Sequence, residues 1–222
     1  MKQDLESFSA APIWLMGAGG LIGGRVRQLC DRRLLIWSVQ PAPLAEEQGW
    51  IQEPFLPWLD PEPAPFPGFG LIIAFGTTLA KAGSVEAFRR IDVDMPLNMA
   101  AYARSMGVKR VAVVSAVGAS EGSRNYYLKS KGDLETGLRA LDFESLSILR
   151  PSLLLGHRKE KRRGERFAQL LAPVWGALMV GPLQKYRPIG ADVLARALLQ
   201  ALEQGKPGVE VYEGAQLFEL GR

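Results

Sequence analysis

The chain has 222 residues, 47% of them hydrophobic and 23% charged, which supports one sizeable core and excludes global disorder. A net charge of +4 is a mild bias that indicates no nucleic-acid partner, and a single histidine, His157, excludes a zinc cage built from Cys and His. The one cysteine, Cys30, excludes an internal disulfide and points to a reducing compartment, so the expectation is a cytoplasmic protein.

Three windows are free of charge and long enough to meet the bare length rule for a membrane span: Ser7–Gly24, Pro63–Ala80 and Phe167–Gln184. Each is interrupted. The first holds Pro12 and five glycines from Gly17 to Gly24, the second Pro63, Pro65 and Pro67, and the third Pro173, Gly176 and Pro182. The leader carries Asp4 and Glu6 against Lys2 and no clean cleavage site, unlike a signal peptide. All three read as buried segments, with no stable membrane insertion. Phe167–Gln184 is expected first as core, with a lid over an apolar pocket or a dimer face as its alternatives.

In chain order, the apolar run Ile13–Met16 ends in the glycine cluster Gly17–Gly24. A basic helical stretch, Arg25–Arg33, and a strand, Leu34–Val39, complete the opening of a βαβ unit. Eight of the 15 prolines lie between Pro41 and Pro67, which leaves room for one short strand near Trp50–Gln52. Leu71–Phe75 is the next strand, followed by Gly76-Thr77-Thr78. A helix starts at the N-cap Ser84 and runs to Met106, with Gly107 as its stop and a kink near Asp94 imposed by Pro96. Val111–Val114 is a strand, Tyr127–Leu141 a helix, and Leu146–Leu149 a strand closing on Pro151. A last helix, Asp192–Glu203, is stopped by Gly205 and Pro207. Continuous apolar strands alternating with helices predict a doubly wound α/β domain with a parallel sheet, and a ligand at the strand ends where Gly17, Gly76 and Ser115 fall.

Gly17, Gly20 and Gly23 obey G-x-x-G-x-x-G between the first strand and the first helix. Glycine there lets backbone N–H groups and the helix N-terminus face a pyrophosphate. Tyr127 and Lys131 are spaced i, i+4, so both lie on one helix face, and Ser115 ends the preceding strand on the same rim. An ammonium beside a phenol favours the phenolate, which makes tyrosine a usable proton donor and acceptor; the lysine also bonds a cofactor ribose, and a serine hydroxyl polarises a carbonyl. The structural alternative is a tyrosine packed at a helix start with a solvated lysine one turn on.

The stretches GAGGLIG (Gly17–Gly23), FGTTLAKAGSVEAFRRIDVD (Phe75–Asp94), VSAVGASEGSRNYYLKSKGDLE (Val114–Glu135), ILRPSLLLGHRKEKRRGE (Ile148–Glu165) and RPIGADVLARAL (Arg187–Leu198) span most of residues 12–202. Through them the chain resembles an atypical short-chain dehydrogenase/reductase, in the branch of the Tat-interacting oxidoreductase-like proteins and their bacterial relatives. The resemblance implies a single Rossmann domain, core about 12–156 and substrate-side segments about 157–222. It also implies a nicotinamide cofactor, usually NADP(H), with NAD(H) as the alternative. Tyr127 and Lys131 match the family's catalytic pair and Ser115 its third member. Gly19, Gly20, Leu21 and Ile22 fall on the dinucleotide loop, Phe75 and Gly76 beside the cofactor, and Leu154 and Arg162 on its nicotinamide and substrate side.

One departure concerns the second strand, where Val39-Gln40-Pro41 replaces the arginine that relatives offer to a 2′-phosphate. Arg25, Arg32 and Arg33 are the nearby cations. The charged run His157–Arg166 mixes six basic residues besides His157 with Glu160 and Glu165; it reads as a solvated loop entering a helix, with Arg162 placed for an anionic group and His157 on the surface. The resulting expectation is an NAD(P)-dependent oxidoreductase, monomer or homodimer, acting on a small carbonyl or alcohol. A cofactor-binding regulatory protein without turnover is the rival. An epimerase or dehydratase on a nucleotide sugar ranks last, because the segment after Pro151 leaves little room for such a site.

Overall fold

The computed structural model describes residues 11–37, 50–51, 68–155 and 186–222. Within them the order is β1 (Ile13–Met16), α1 (Leu21–Leu29), β2 (Leu34–Trp37), β3 (Trp50–Ile51), β4 (Gly70–Ile73), α2 (Leu79–Ala82) and α3 (Val85–Arg89). A π-helical turn (Arg90–Asp94) leads into α4 (Met95–Ser105), then β5 (Arg110–Val114), α5 (Tyr126–Ala140), β6 (Ser145–Arg150), β7 (Leu154–Leu155), β8 (Ile189–Gly190), α6 (Ala191–Gln204), β9 (Gly208–Glu213) and α7 (Ala215–Leu220). The main sheet has seven strands in the order β3-β2-β1-β4-β5-β6-β9, and every pairing in it is parallel. β7 and β8 form a separate parallel pair.

The period of two along each strand sorts the core into two layers. Ile13, Leu15, Ile36, Ile72, Ala112 and Leu149 face one way, against Val26 of α1 and Leu194, Leu198 and Leu202 of α6. Trp14, Met16, Leu35, Leu71, Ile73, Val111, Val113 and Ile148 face the other way, against Met99 and Ala103 of α4 and Leu134 and Leu138 of α5. A parallel sheet covered on both faces is the doubly wound Rossmann-type fold. The order in which strands are added reverses between β1 and β4, so the crevice at their C-terminal ends is the topological switch point. No helix among the described residues is long and apolar enough to cross a membrane.

Four differences from the expected elements have physical causes. The first helix begins at Leu21, a turn before Arg25, because Gly20 takes an extended cap conformation and Gly23 and Gly24 continue the helix. It also stops at Leu29, and Arg32 and Arg33 precede β2 as loop. The kink expected from Pro96 is the π-helical turn, in which the Met95 N–H reaches back to the Arg90 carbonyl. Ser84 caps α3 as expected, its hydroxyl accepting from the Ala87 N–H at 3.0 Å, while a further short helix, α2, is capped by Thr78. The chain does not end its regular structure at Asp192–Glu203: Gly205 stops α6 with φ +51, and β9 then adds to the sheet beside β6. Val39, Pro41–Gln48, Arg162, His157 and Phe167–Gln184 lie outside the described residues.

The turn after β1 shows why helix and strand meet so closely. Gly17 has φ +97, and a Cβ there would lie 2.5 Å from the Ala74 carbonyl oxygen. A Cβ on Gly23 would lie 2.0 Å from the Gly17 carbonyl oxygen. Gly23→Ala should therefore push α1 off the turn and lower stability by about 3 kcal/mol, measured by urea denaturation. A loss below about 0.5 kcal/mol would show that the turn accommodates a side chain.

Candidate functional site

The glycine turn sits at the switch point. The Gly20 N–H donates to the Gly17 carbonyl at 3.0 Å and the Ala74 N–H to the Met16 carbonyl at 2.9 Å, which ties the turn to the end of β4. Gly17 and Gly23 are consumed by packing, whereas Gly19 and Gly20 are exposed. No side chain caps α1 and its first turn carries no acidic residue. The N–H groups of Leu21, Ile22 and Gly23 begin a helix and have no carbonyl one turn behind them. Positive partial charge and free donors therefore face the crevice, as an anionic pyrophosphate requires. Leu21 is half-buried and Ile22 buried under the turn.

Across the crevice, Phe75 is half-buried and packs against the α4–α5 layer, and Gly76 is exposed. A Cβ on Gly76 would lie 2.9 Å from Asp92 Oδ1 and 3.5 Å from Lys131 Nζ. The missing side chain is what leaves room for that ion pair. Lys131 Nζ lies 3.2 Å from Asp92 Oδ1, and both side chains are buried. Asp92 Oδ2 accepts the Thr77 N–H at 2.7 Å. Asp92 belongs to the π-helical turn, which sets a carboxylate on the core-facing side of an otherwise apolar stripe with Phe88, Met99 and Ala103.

Tyr127 lies in the first turn of α5 and is 44% exposed. Lys131 Nζ is 5.9 Å from the centroid of that ring. Asn125 caps the helix by accepting the Leu128 N–H at 3.2 Å, and the Tyr126 hydroxyl donates to the Val85 carbonyl at 2.9 Å, which pins the start of α5 to α3. Gly132 lets the helix approach the loop before it: a Cβ there would lie 2.3 Å from the Ser120 carbonyl carbon. The expected pair thus shares one face, and the solvated-lysine alternative does not hold, since Lys131 is buried.

Ser115 is placed differently from the tyrosine and lysine. It is buried at the end of β5, and its hydroxyl donates to Glu135 Oε1, one helical turn beyond Lys131. Glu135 is gripped by Arg150, with Nε at 2.8 Å from Oε1 and Nη2 at 2.6 Å from Oε2. Arg150 Nη1 reaches Glu213 at 3.0 Å, its in-register partner on β9. The hydrogen bond to Glu135, partly opposed by burial and reinforced by Glu213, pushes the guanidinium above the ordinary arginine value. The serine proton is therefore held by a structural network and does not point to a substrate carbonyl.

Leu154, in β7, is half-buried and pairs with Ile189. The cations considered for a 2′-phosphate are engaged elsewhere. Arg25 is bidentate to Asp192 on α6, and its Nη1 donates to Gln28. Arg32 pairs with Glu203, and its guanidinium lies 4.3 Å from the Phe69 ring centroid. Arg32 and Arg33 also precede β2, at the sheet edge opposite the crevice, where the Ile13 N–H meets the Arg33 carbonyl. Asp92 and Glu135 were given no role from the sequence. Their signal was a carboxylate on the apolar stripe of a helix, at the positions where Leu, Val or Met would be expected.

No protein-family model matches the chain. It is 30% identical over 236 aligned residues to the mitochondrial protein fmp52 of Aspergillus clavatus, covering 95% of this chain and 98% of that protein. It is 36% identical over 154 residues to the mitochondrial protein FMP52 of Debaryomyces hansenii, covering 66% of this chain and 67% of that one. Among solved structures, it resembles the ADP-L-glycero-D-manno-heptose-6-epimerase of Helicobacter pylori (TM-score 0.69, 15% identity, 96% of this chain and 81% of that one). MoeE5 in complex with UDP-glucuronic acid and NAD is similar (TM-score 0.68, 16% identity, 91% and 76%), as is a human epimerase family protein with NADPH (TM-score 0.61, 18% identity, 91% and 74%). At these identities the likeness to solved structures is one of fold. The relatives named as mitochondrial overturn the expectation of a cytoplasmic protein. A lone cysteine argues against a disulfide and carries no address.

Replacing Glu135 by Ala would leave the Ser115 hydroxyl and one side of the Arg150 guanidinium without their acceptor. The expected loss is about 3 kcal/mol, read by chemical denaturation. A change under about 1 kcal/mol would mean that Glu213 alone satisfies Arg150.

Proposed function

Because the chain belongs to the family of the FMP52 proteins, with the Rossmann-type fold of the short-chain dehydrogenases/reductases, we propose that it is an NAD(P)-dependent oxidoreductase acting on a small carbonyl or alcohol. The observation that carries this reading is a buried ammonium, Lys131, set under Gly76 and beside the Tyr127 ring, across the switch point from a glycine turn that admits no side chain. Neighbours of the same fold were solved with NAD or NADPH, which supports the same class of cofactor here.

In this reading Gly19, Gly20 and the N–H groups of Leu21 and Ile22 hold the pyrophosphate against the start of α1, with Gly17 and Gly23 shaping the turn. Phe75 and Gly76 flank the cofactor on the β4 side, Lys131 donates to the ribose nearer the nicotinamide, and Leu154 borders the substrate side. Val39 and Arg162 are proposed on the adenine ribose and the substrate side from the family pattern alone. When bound, the nicotinamide exchanges a hydride with the substrate carbon. Tyr127 exchanges the proton on the substrate oxygen: reduction of a carbonyl consumes one hydride and one proton, and oxidation of an alcohol returns both. Ser115 joins this pair as the third member only by releasing Glu135. Until it does, polarisation of the carbonyl falls to Tyr127. Leu79, Val85 and Leu153, exposed apolar side chains on the segments that follow β4 and β6, suit an uncharged substrate.

A second reading is a cofactor-binding regulatory protein without turnover. It is favoured by one observation: the lysine and the serine are each held by a buried carboxylate, Asp92 and Glu135. The two readings part in a kinetic test. With a panel of aldehydes and ketones and either reduced nicotinamide cofactor, wild type should turn over, and Tyr127→Phe should lose about 10²–10⁴-fold in kcat while still binding cofactor. Equal turnover by the variant removes the tyrosine from the mechanism. Cofactor binding without turnover by wild type favours the regulatory reading.

A further inference from the structure

Lys131 is buried, and an unpaired ammonium at such depth would cost several kcal/mol. Its counter-charge is Asp92, but the contact has an unusual character. Oδ1 lies 3.2 Å from Nζ, yet this buried oxygen takes part in no hydrogen bond among the described residues. The other oxygen, Oδ2, is spent on the Thr77 N–H at 2.7 Å, which locks the carboxylate to the turn after β4. Lys131 in turn makes no hydrogen bond among the described residues; its contacts are the charge of Asp92 and the Tyr127 ring. The ammonium is held at depth by the charge of Asp92, which can engage at most one of its three N–H donors, and the described residues offer no acceptor for the others.

Three separate features produce this arrangement. The π-helical turn Arg90–Asp94 swings Asp92 inward, Thr77 fixes its rotamer, and Gly76 omits the Cβ that would lie 2.9 Å from Oδ1. We propose that Asp92 is a positioning residue for the cofactor site: it anchors Lys131 beneath Gly76 and leaves its remaining donors directed to the hydroxyls of the ribose next to the nicotinamide. The inference rests on the reading of Lys131 as the ribose-binding lysine.

The test separates the two halves of the cofactor. Asp92→Asn keeps an oxygen for the Thr77 N–H and removes the charge. Calorimetric titration uses whichever of NADPH or NADH the wild type binds, together with its adenine half, adenosine 2′,5′-bisphosphate or ADP. The variant should bind the dinucleotide about tenfold more weakly and the adenine half as wild type does. Should Asp92→Asn fail to fold, Gly76→Ala displaces the pair with both side chains present, and the same selective loss is expected. Unchanged dinucleotide affinity overturns the proposal, and so does an equal loss for both probes, which marks a merely structural residue. If wild type binds the adenine half and neither dinucleotide more tightly, Lys131 does not hold the ribose, and the reading beneath the proposal fails before Asp92 is at issue.

Discussion

Everything at the rim of the sheet depends on how closely three pieces of backbone approach one another between β1 and β4. The carbonyl of Gly17 occupies the space a side chain on Gly23 would need, and the carbonyl of Ala74 occupies the space of one on Gly17. Two glycines are therefore spent on packing, and only then do Gly19 and Gly20 present the start of α1 to the crevice. A motif commonly read as a phosphate cradle is first a device for bringing helix and strand within contact. The anion-binding property follows from that closeness, since a helix end set back from the strand ends would meet water instead.

On the other side of the crevice the organising groups are carboxylates. Asp92 and Glu135 both occupy positions in apolar stripes, and each holds one member of the proposed triad. Their consequences differ. Asp92 engages at most one of the donors of Lys131, whereas Glu135, clamped by Arg150, accepts the hydrogen bond of the Ser115 hydroxyl. The second network also reaches β9 through Glu213, so the strand at the sheet edge is tied by charge to the helix that carries Tyr127 and Lys131. Movement of that edge would be felt in the orientation of the serine.

The parallel sheet was legible because buried strands read as unbroken apolar runs, and Ile13–Met16 is a strand with the bounds its composition suggested. The same logic failed for β9. Its alternation of Val209, Glu210, Val211 and Tyr212 is short and follows Gly205 and Pro207, which read as the end of order, and its pairing with β6 is a tertiary event no local signal announces. The start of α1 was misplaced because glycines argue for a turn, although Gly23 and Gly24 are helical here for packing reasons. That Tyr127 and Lys131 share one helix face was legible from their spacing. What Ser115 bonds to was not legible, since its partner lies twenty residues away on another element. The compartment was not legible either, because cysteine usage reports on disulfides and not on destination.

The central claim is that the glycine turn and Lys131 together form a dinucleotide site. Its most direct test is calorimetric titration of the folded wild-type protein with NADPH and NADH side by side. The account predicts saturable binding of at least one, with an affinity in the micromolar range or about 8 kcal/mol. A preference for NADPH would require a cation other than Arg25 or Arg32, both of which are paired with acidic residues, to meet the 2′-phosphate. Absence of binding by either cofactor, with the protein shown to be folded, would contradict the claim and leave the glycine turn as packing alone.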